Sequence, residues 1–328
     1  MENNGDQDQQ EPIVCVYHRA SGSSFSDCVH LGQRHYEDDD NPDESDYWVL
    51  GNDVRQEGII TTTVFFSWKN WLTGIWRSPE RVVYISDATA RAVHRYDDIH
   101  DLARPPTDFP LDAALEGVWG LDDSNVFAWG TRKAGAGDFE WPVFHYDGRR
   151  WTELPMPGFA VMAMHGVAPD MVYAVGFKGF VGRWDGASWR RFPVPTAEVI
   201  NSVFVAGPDE IYACGGNGIV LEGSASGWGK IAEMPEGMPA EAVARFKGEL
   251  YIGGGSLGLF RRVGTSGDLE LIKPNVGATH FDARHDLVIT CEKVIVGTSD
   301  NTAFAGANVN FLCQHTADKD IIQWDDHL

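Results

Sequence analysis

The side chains best suited to chemistry in this 328-residue chain are dispersed carboxylates, histidines and cysteines, and they form no familiar catalytic set. The densest group is Glu37-Asp38-Asp39-Asp40-Asn41-Pro42-Asp43-Glu44-Ser45-Asp46, with seven acids in ten residues. A calcium loop of the EF-hand kind needs alternating oxygen ligands and a glycine at its turn, and this run has Pro42 and no glycine. What it can do is electrostatic: an acidic arm can lie on a basic protein surface as a polyanion would. Cys15, His18, Cys28, His30 and His35 are zinc-ligating types at spacings that match no compact finger, so no metal is expected. His280 and His285 flank Asp282 and could serve as ligands or as acid–base groups. Glycoside cleavage wants two carboxyls facing one bond, and no such pair stands out. Gly-x-Ser-x-Gly, His-Glu-x-x-His and phosphate-loop patterns are missing from the sequence. No enzyme and no cofactor are expected.

Charge narrows the partners. Lys and Arg number 26 against 48 Asp and Glu, a net charge of −22. Nucleic acid and anionic membrane surfaces are disfavoured, because both are bound through basic side chains. A basic protein is favoured, since complementary charge speeds encounter. The opening Met-Glu-Asn-Asn-Gly-Asp lacks the basic and apolar regions of a signal peptide, and no window approaches 18 apolar residues. The five cysteines are odd in number and scattered, which fits reduced thiols in a cytoplasmic protein. A Cys15–Cys28 bridge is the alternative for an exported one.

The elements that must position these groups come from a repeat. Glu116-Gly-Val-Trp-Gly runs on to Tyr146-Asp-Gly-Arg-Arg-Trp151, and His165-Gly-Val-Ala-Pro-Asp runs on to Trp184-Asp-Gly-Ala-Ser-Trp189. Ser202-Val-Phe-Val-Ala-Gly-Pro-Asp runs on to Trp228. Asp147 and Asp185 are 38 residues apart, and Tyr173, Tyr212 and Tyr251 follow at steps of 39, so the copies share one register. Each unit reads as four short strands: a Gly-Val run, a Val-Tyr-Ala-Val-Gly run, a run into Trp-Asp, and a Trp-bearing strand stopped by Pro-x-Pro. Asp-Gly between the last two is a type I′ hairpin signal. Four strands in about 40 residues predict an all-β chain folded as a single β-propeller. The recurring Tyr and Trp are expected to pack between blades.

Seven blades are predicted, at about 12–70, 71–112, 113–158, 159–197, 198–237, 238–275 and 276–315, with six as the alternative. Tails at 1–11 and 316–328 flank them, and Ile13 to Tyr17 is expected to close the ring by pairing into the last blade. The Tyr/Trp-Asp-Gly-x-x-Trp unit resembles propeller-type repeats of large bacterial proteins, many from myxobacteria, over residues 71–275. That resemblance implies the fold more than a function.

Function is sought where the repeat breaks. Thirteen positions separate Gly130 from Val143, against five between Gly176 and Val181. The excess, Thr131 to Pro142, is a glycine-rich loop tipped by Phe139, Glu140 and Trp141, able to anchor a partner or to fold over its own blade. Together with Glu37, Asp38, Asp39, Asp40, Asp43, Glu44 and Asp46, these are the candidate partner-binding residues. The expected function is a non-enzymatic, monomeric scaffold, most specifically an antitoxin-like immunity protein that occludes a basic toxin. The alternative is a carbohydrate-binding or glycoside-cleaving propeller, with tryptophans such as Trp141 stacking on sugar rings.

Overall fold

A computed structural model of the chain describes residues 13–36, 46–54, 60–101, 103–135, 137–308 and 322–323. It is a seven-bladed propeller. Each blade is an antiparallel meander of four strands, a to d from the axis outward. Blades 1 to 7 span 13–68, 72–110, 114–153, 161–191, 200–233, 242–273 and 278–308. The seven a strands are Ile13–Ser24, Leu72–Arg77, Ala114–Asp122, Val161–Ala168, Ile200–Gly207, Ala242–Phe246 and Ala278–Ala283. They face one another in sequence around the axis, the first against the last.

The apolar pattern follows from this stacking. A blade has neighbours on both sides, so its b strand is buried on both faces and reads as a continuous apolar run. In Met171–Gly176, Val172 and Ala174 pack with blade 3, while Tyr173 and Val175 pack with blade 5. Seven buried clusters result, one at each blade interface. The repeated aromatics lie in them: Trp151 at the interface of blades 2 and 3, Trp189 at 3 and 4, and Trp228 at 4 and 5. The ring of Tyr173 sits 6.2 Å from that of Trp228, edge to face, a geometry that adds about 1 kcal/mol to the burial itself.

The Asp-Gly turn differs from the expected type I′. That turn needs positive φ at both central residues, and here Gly148 and Gly186 have φ of 87° and 91° while Asp147 and Asp185 before them are not positive. The aspartate closes a longer loop instead. Asp147 Oδ1 accepts the Arg149 and Arg150 amides at 2.9 and 2.8 Å, and Asp185 Oδ1 accepts those of Ala187 and Ser188 at 3.0 and 2.8 Å. The amide donors hold both carboxyls below their ordinary range. Blade 7 repeats the device: Asp300 accepts the Thr302 and Ala303 amides, with Asn301 at φ 69° where the others have glycine. Asparagine tolerates this left-handed backbone, which hid the seventh copy from a search for Asp-Gly.

Ring closure also departs from expectation. Ile13–Ser24 does not enter the last blade; it pairs with Asp27–Tyr36 as the innermost strand of blade 1. Blade 7 completes its own four strands with Ala305–Asn308, so no gap is left to fill. The ring is shut by side chains and by backbone bonds, the Tyr17 amide to Glu292 O at 2.8 Å and the His285 and Asp286 amides to Ser23 O at 3.1 Å. Cys15, Tyr17, Ala20, Phe25, Cys28 and Leu50 pack on Val288 and Ile295. Asp282 Oδ2 accepts Ser21 Oγ at 2.9 Å and the Gly22 amide at 3.1 Å, and Asp286 Oδ2 accepts the Phe25 amide at 3.0 Å. Ile322–Gln323 adds a short fifth strand outside blade 1. The rest of the expected tails lies outside the described residues.

Candidate functional site

The two faces of the disc differ in what they expose. The b–c turns and the blade-to-blade connections emerge on one, here the loop face; the a–b and c–d hairpins emerge on the other. Among the described residues, eight large apolar side chains are exposed. Trp71, Met156 and Met238 stand on connections, and Phe139 and Phe177 on b–c turns, so five of the eight share the loop face. Phe139 and Phe177 are 51% and 50% exposed, enough to be lost to water in the free protein and regained in a complex. The hairpin face is rich in aspartates, and several of these are held by the turn amides described above.

Blade 3's insertion lies at this loop face. Blade 3's insertion continues its own strand, because Phe139–Glu140 pairs with Arg132 and Lys133. Glu140 takes Arg132 Nε at 2.8 Å, and the same guanidinium binds both oxygens of Glu153 at 2.8 and 2.9 Å. Glu140 therefore braces a hairpin, Trp141 is half-buried, and Phe139 projects. Of the acidic run, Glu37, Asp38, Asp39, Asp40, Asp43 and Glu44 lie outside the described residues. Asp46 opens strand c of blade 1, paired with Arg34 at 2.6 Å and Lys69 at 3.8 Å. The run joins strands b and c of its blade, as the insertion does in blade 3.

A channel runs along the axis between the a strands. Near the hairpin face it is walled by Trp76, Trp119, His165 and Phe204 of blades 2 to 5, then by Asp282 and Ser21 of blades 7 and 1. Trp119 and His165 lie 5.4 Å apart, and His165 and Phe204 4.6 Å. Two residues earlier on the same strands come Arg19, Gly74, Gly117, Ala163, Ser202 and His280. Above this level the a strands bulge, placing one extra residue at His18, Thr73, Glu116, Met162, Asn201 and Thr279. Bulges re-aim side chains at rims. Here the bulged polar side chains are held within the ring: Thr73 Oγ1 donates to the Leu115 carbonyl at 3.0 Å, Asn201 to Ala240 O at 3.1 Å and Thr279 to Thr290 O at 3.1 Å.

The cavity encloses about 80 Å³. Sites for drug-sized ligands measure roughly 300 Å³ or more, so this one suits a few waters or one small ion. Two of its acid–base groups are committed. Asp282 holds Arg284 at 2.9 Å through each oxygen, and His165 Nδ1 accepts the Val205 amide at 3.0 Å. His285 is exposed and turned to Asp286, away from His280 in the channel. These residues were legible as chemically able; Arg19, His165 and Ser202 were not, because only the ring brings them together. Among the described residues no three His, Cys, Asp or Glu side chains converge to hold a metal. No disulfide joins Cys15, Cys28, Cys214 or Cys291.

The buried histidines predict a pH dependence of stability. Burial pushes His30 and His165 down to about 4, and His280 well below its ordinary value. The unfolded chain takes up these protons near pH 6.5, so stability falls as pH drops from there toward 4. His94 opposes this. Burial alone would lower its pKa, but Asp87 at 3.1 Å and Asp108 at 2.8 Å raise it, so its contribution is full below pH 6.5 and lost above. Burial lowers His18 and His145 as well, so five groups outweigh one. Urea unfolding should show lower stability at pH 5 than at pH 7, with His30 alone accounting for about 2 kcal/mol. His30→Phe should shrink the difference; an unchanged difference would remove His30 as a cause.

No protein-family model matches the chain. It is similar to immune protein Tsi7 of Pseudomonas aeruginosa, 31% identical over 90 residues, which is 27% of this chain and 29% of that protein. The chain thus matches under a third of that relative's length. Among solved structures, the WD40 β-propeller domain of Doa1 superposes with a TM-score of 0.62 at 11% identity, over 87% of this chain and 90% of that one. Virginiamycin B lyase from Staphylococcus aureus superposes with a TM-score of 0.57 at 17% identity, over 73% and 84%. A lyase and a WD40 domain share this scaffold, so the likeness shows the fold alone. No helix among the described residues is long and apolar enough to cross a membrane.

Proposed function

We propose that this chain is an immunity protein that binds a basic cognate toxin and occludes it with the loop face. The observation that carries the reading is the 90-residue similarity to an immune protein. The physical properties agree with it. A net charge of −22 favours a basic protein partner. Five projecting apolar side chains on one face offer anchors. The acidic run and the blade 3 insertion, with Phe139, Glu140 and Trp141, would contact the toxin at that face. The chain acts by binding and not by turnover, in the cytoplasm and as a monomer before it meets its partner. Its Tyr/Trp-Asp-Gly blades align it with the bacterial propeller repeats that they resemble.

The test is neutralisation. Expressed beside the basic product of a neighbouring gene that arrests growth, the chain should restore growth and co-elute with that product as a stable complex. Failure to neutralise, combined with saturable binding on a glycan array, would replace this reading with a carbohydrate-binding one.

A further inference from the structure

We infer that the axial channel is a receptor for a carboxylate, with Arg19 as its cation. Arg19 projects from the a strand of blade 1 into the channel. It has no hydrogen-bond or ion-pair partner among the described residues. The residues at its level are small in blades 2 to 5: Gly74, Gly117, Ala163 and Ser202. A Cβ on Gly117 would stand 2.2 Å from the Trp129 ring, so that ring covers the strand there, and Arg19 lines the remaining cavity with these residues. Arg19 is partly buried and lacks a counter-ion there, and a planar fork of five donors suits a carboxylate.

The other donors point the same way. His165 Nδ1 accepts the Val205 amide, which places the ring proton on Nε2, toward the channel. Ser202 Oγ accepts the Val243 amide at 3.2 Å, leaving its hydroxyl proton to give. His280 stands beside Arg19 in blade 7 with Nδ1 buried and unpartnered. Burial keeps both histidines neutral, so they donate without adding charge.

Two of the acids nearby are held by partners. Asp282 is consumed by Arg284, Ser21 and the Gly22 amide. Glu116 bonds Thr131 at the rim, and Glu241 lines the channel from blade 6. The cavity of about 80 Å³ fits a single carboxylate group. It does not fit a sugar ring or a nucleotide.

The experiment uses the full chain without any toxin, so its result stands apart from the fate of the immunity reading. Acetate is titrated at constant ionic strength, followed by calorimetry and by the fluorescence of Trp76 and Trp119 in the channel wall. Saturable one-to-one binding is expected, weakened about tenfold or more in Arg19→Gln, since a charge-assisted fork is lost. Arg19→Gln should also melt at the same temperature or higher, because an unpaired charge is removed. Arg19→Lys, which keeps the charge and loses the fork, should bind with intermediate strength. Capped glutamate binding more tightly than acetate assigns the ligand to an acidic side chain of a docked protein. Equal or weaker binding assigns it to a free small carboxylate. Non-saturable acetate titration, unchanged binding in Arg19→Gln, or chloride displacing acetate with equal affinity would overturn the proposal.

Discussion

Replacing Gly176 by alanine is expected to destabilise the protein by about 3 kcal/mol, the upper range for forcing an atom into a packed site. Gly176 ends strand b of blade 4, opposite Val161, where the a strand bulges at Met162. A Cβ there would lie 1.9 Å from the carbonyl oxygen of Ala160, a backbone atom that cannot rotate away. The constraint is space and not backbone conformation, since φ is 178°, an extended value open to any residue. Gly130 and Gly215 meet the same obstacle, at 2.2 Å from Ala114 O and 2.1 Å from Val199 O. Gly207 is the control: nothing lies within 4 Å of its Cβ position. Gly207→Ala should change stability by less than about 0.5 kcal/mol. Equal denaturation midpoints for the two variants would show that the bulge is not the source of the recurring glycine.

Truncating Phe139 and Phe177 together to alanine is expected to weaken binding of the proposed toxin by about 2 to 3 kcal/mol, on the order of 100-fold. Both rings are half exposed in the free chain and lie on adjacent blades of the loop face. Their removal should leave the melting transition nearly unchanged, because exposed positions contribute little to folding. Neutralising Glu37, Asp38, Asp39, Asp40, Asp43 and Glu44 should act differently, slowing association in a salt-dependent way with little effect on dissociation. Asp46 is kept in that variant, since it pairs with Arg34 inside blade 1. The decisive measurement is surface-captured kinetics at low and high salt. Full affinity in the double phenylalanine variant would move the docking surface to the aspartate-rich hairpin face.

The recurring glycines show how one sequence feature carries two kinds of information. Their period, with that of the tyrosines and tryptophans, counts blades, and seven were expected and are present. Their cause was not legible. Nothing local marks a bulge, because the residue that a glycine must clear lies on a strand some fifteen positions earlier. The same holds for the Asp turns. Asp147 and Asp185 were legible through Asp-Gly, whereas Asp300 with Asn301 was not, although all three make the same pair of amide bonds. Closure was misjudged for a related reason. An apolar run such as Ile13 to Tyr17 says that a strand is buried on both faces, and it does not say which sheet receives it.

By itself, the sequence determined the architecture and the electrostatic sign. Alternating apolar residues at a 39-residue period can bury their faces only by stacking like blades, and 48 acids against 26 bases bias the chain toward basic partners however it folds. Tertiary structure alone decided which candidate residues come together. Whether Phe139 and Phe177 share a face depends on the direction of every strand between them. Whether Arg19 meets His165, Ser202 and His280 depends on closing a ring that spans more than 250 residues. Such convergence leaves no local pattern, because each blade contributes one side chain and the repeat hides which one.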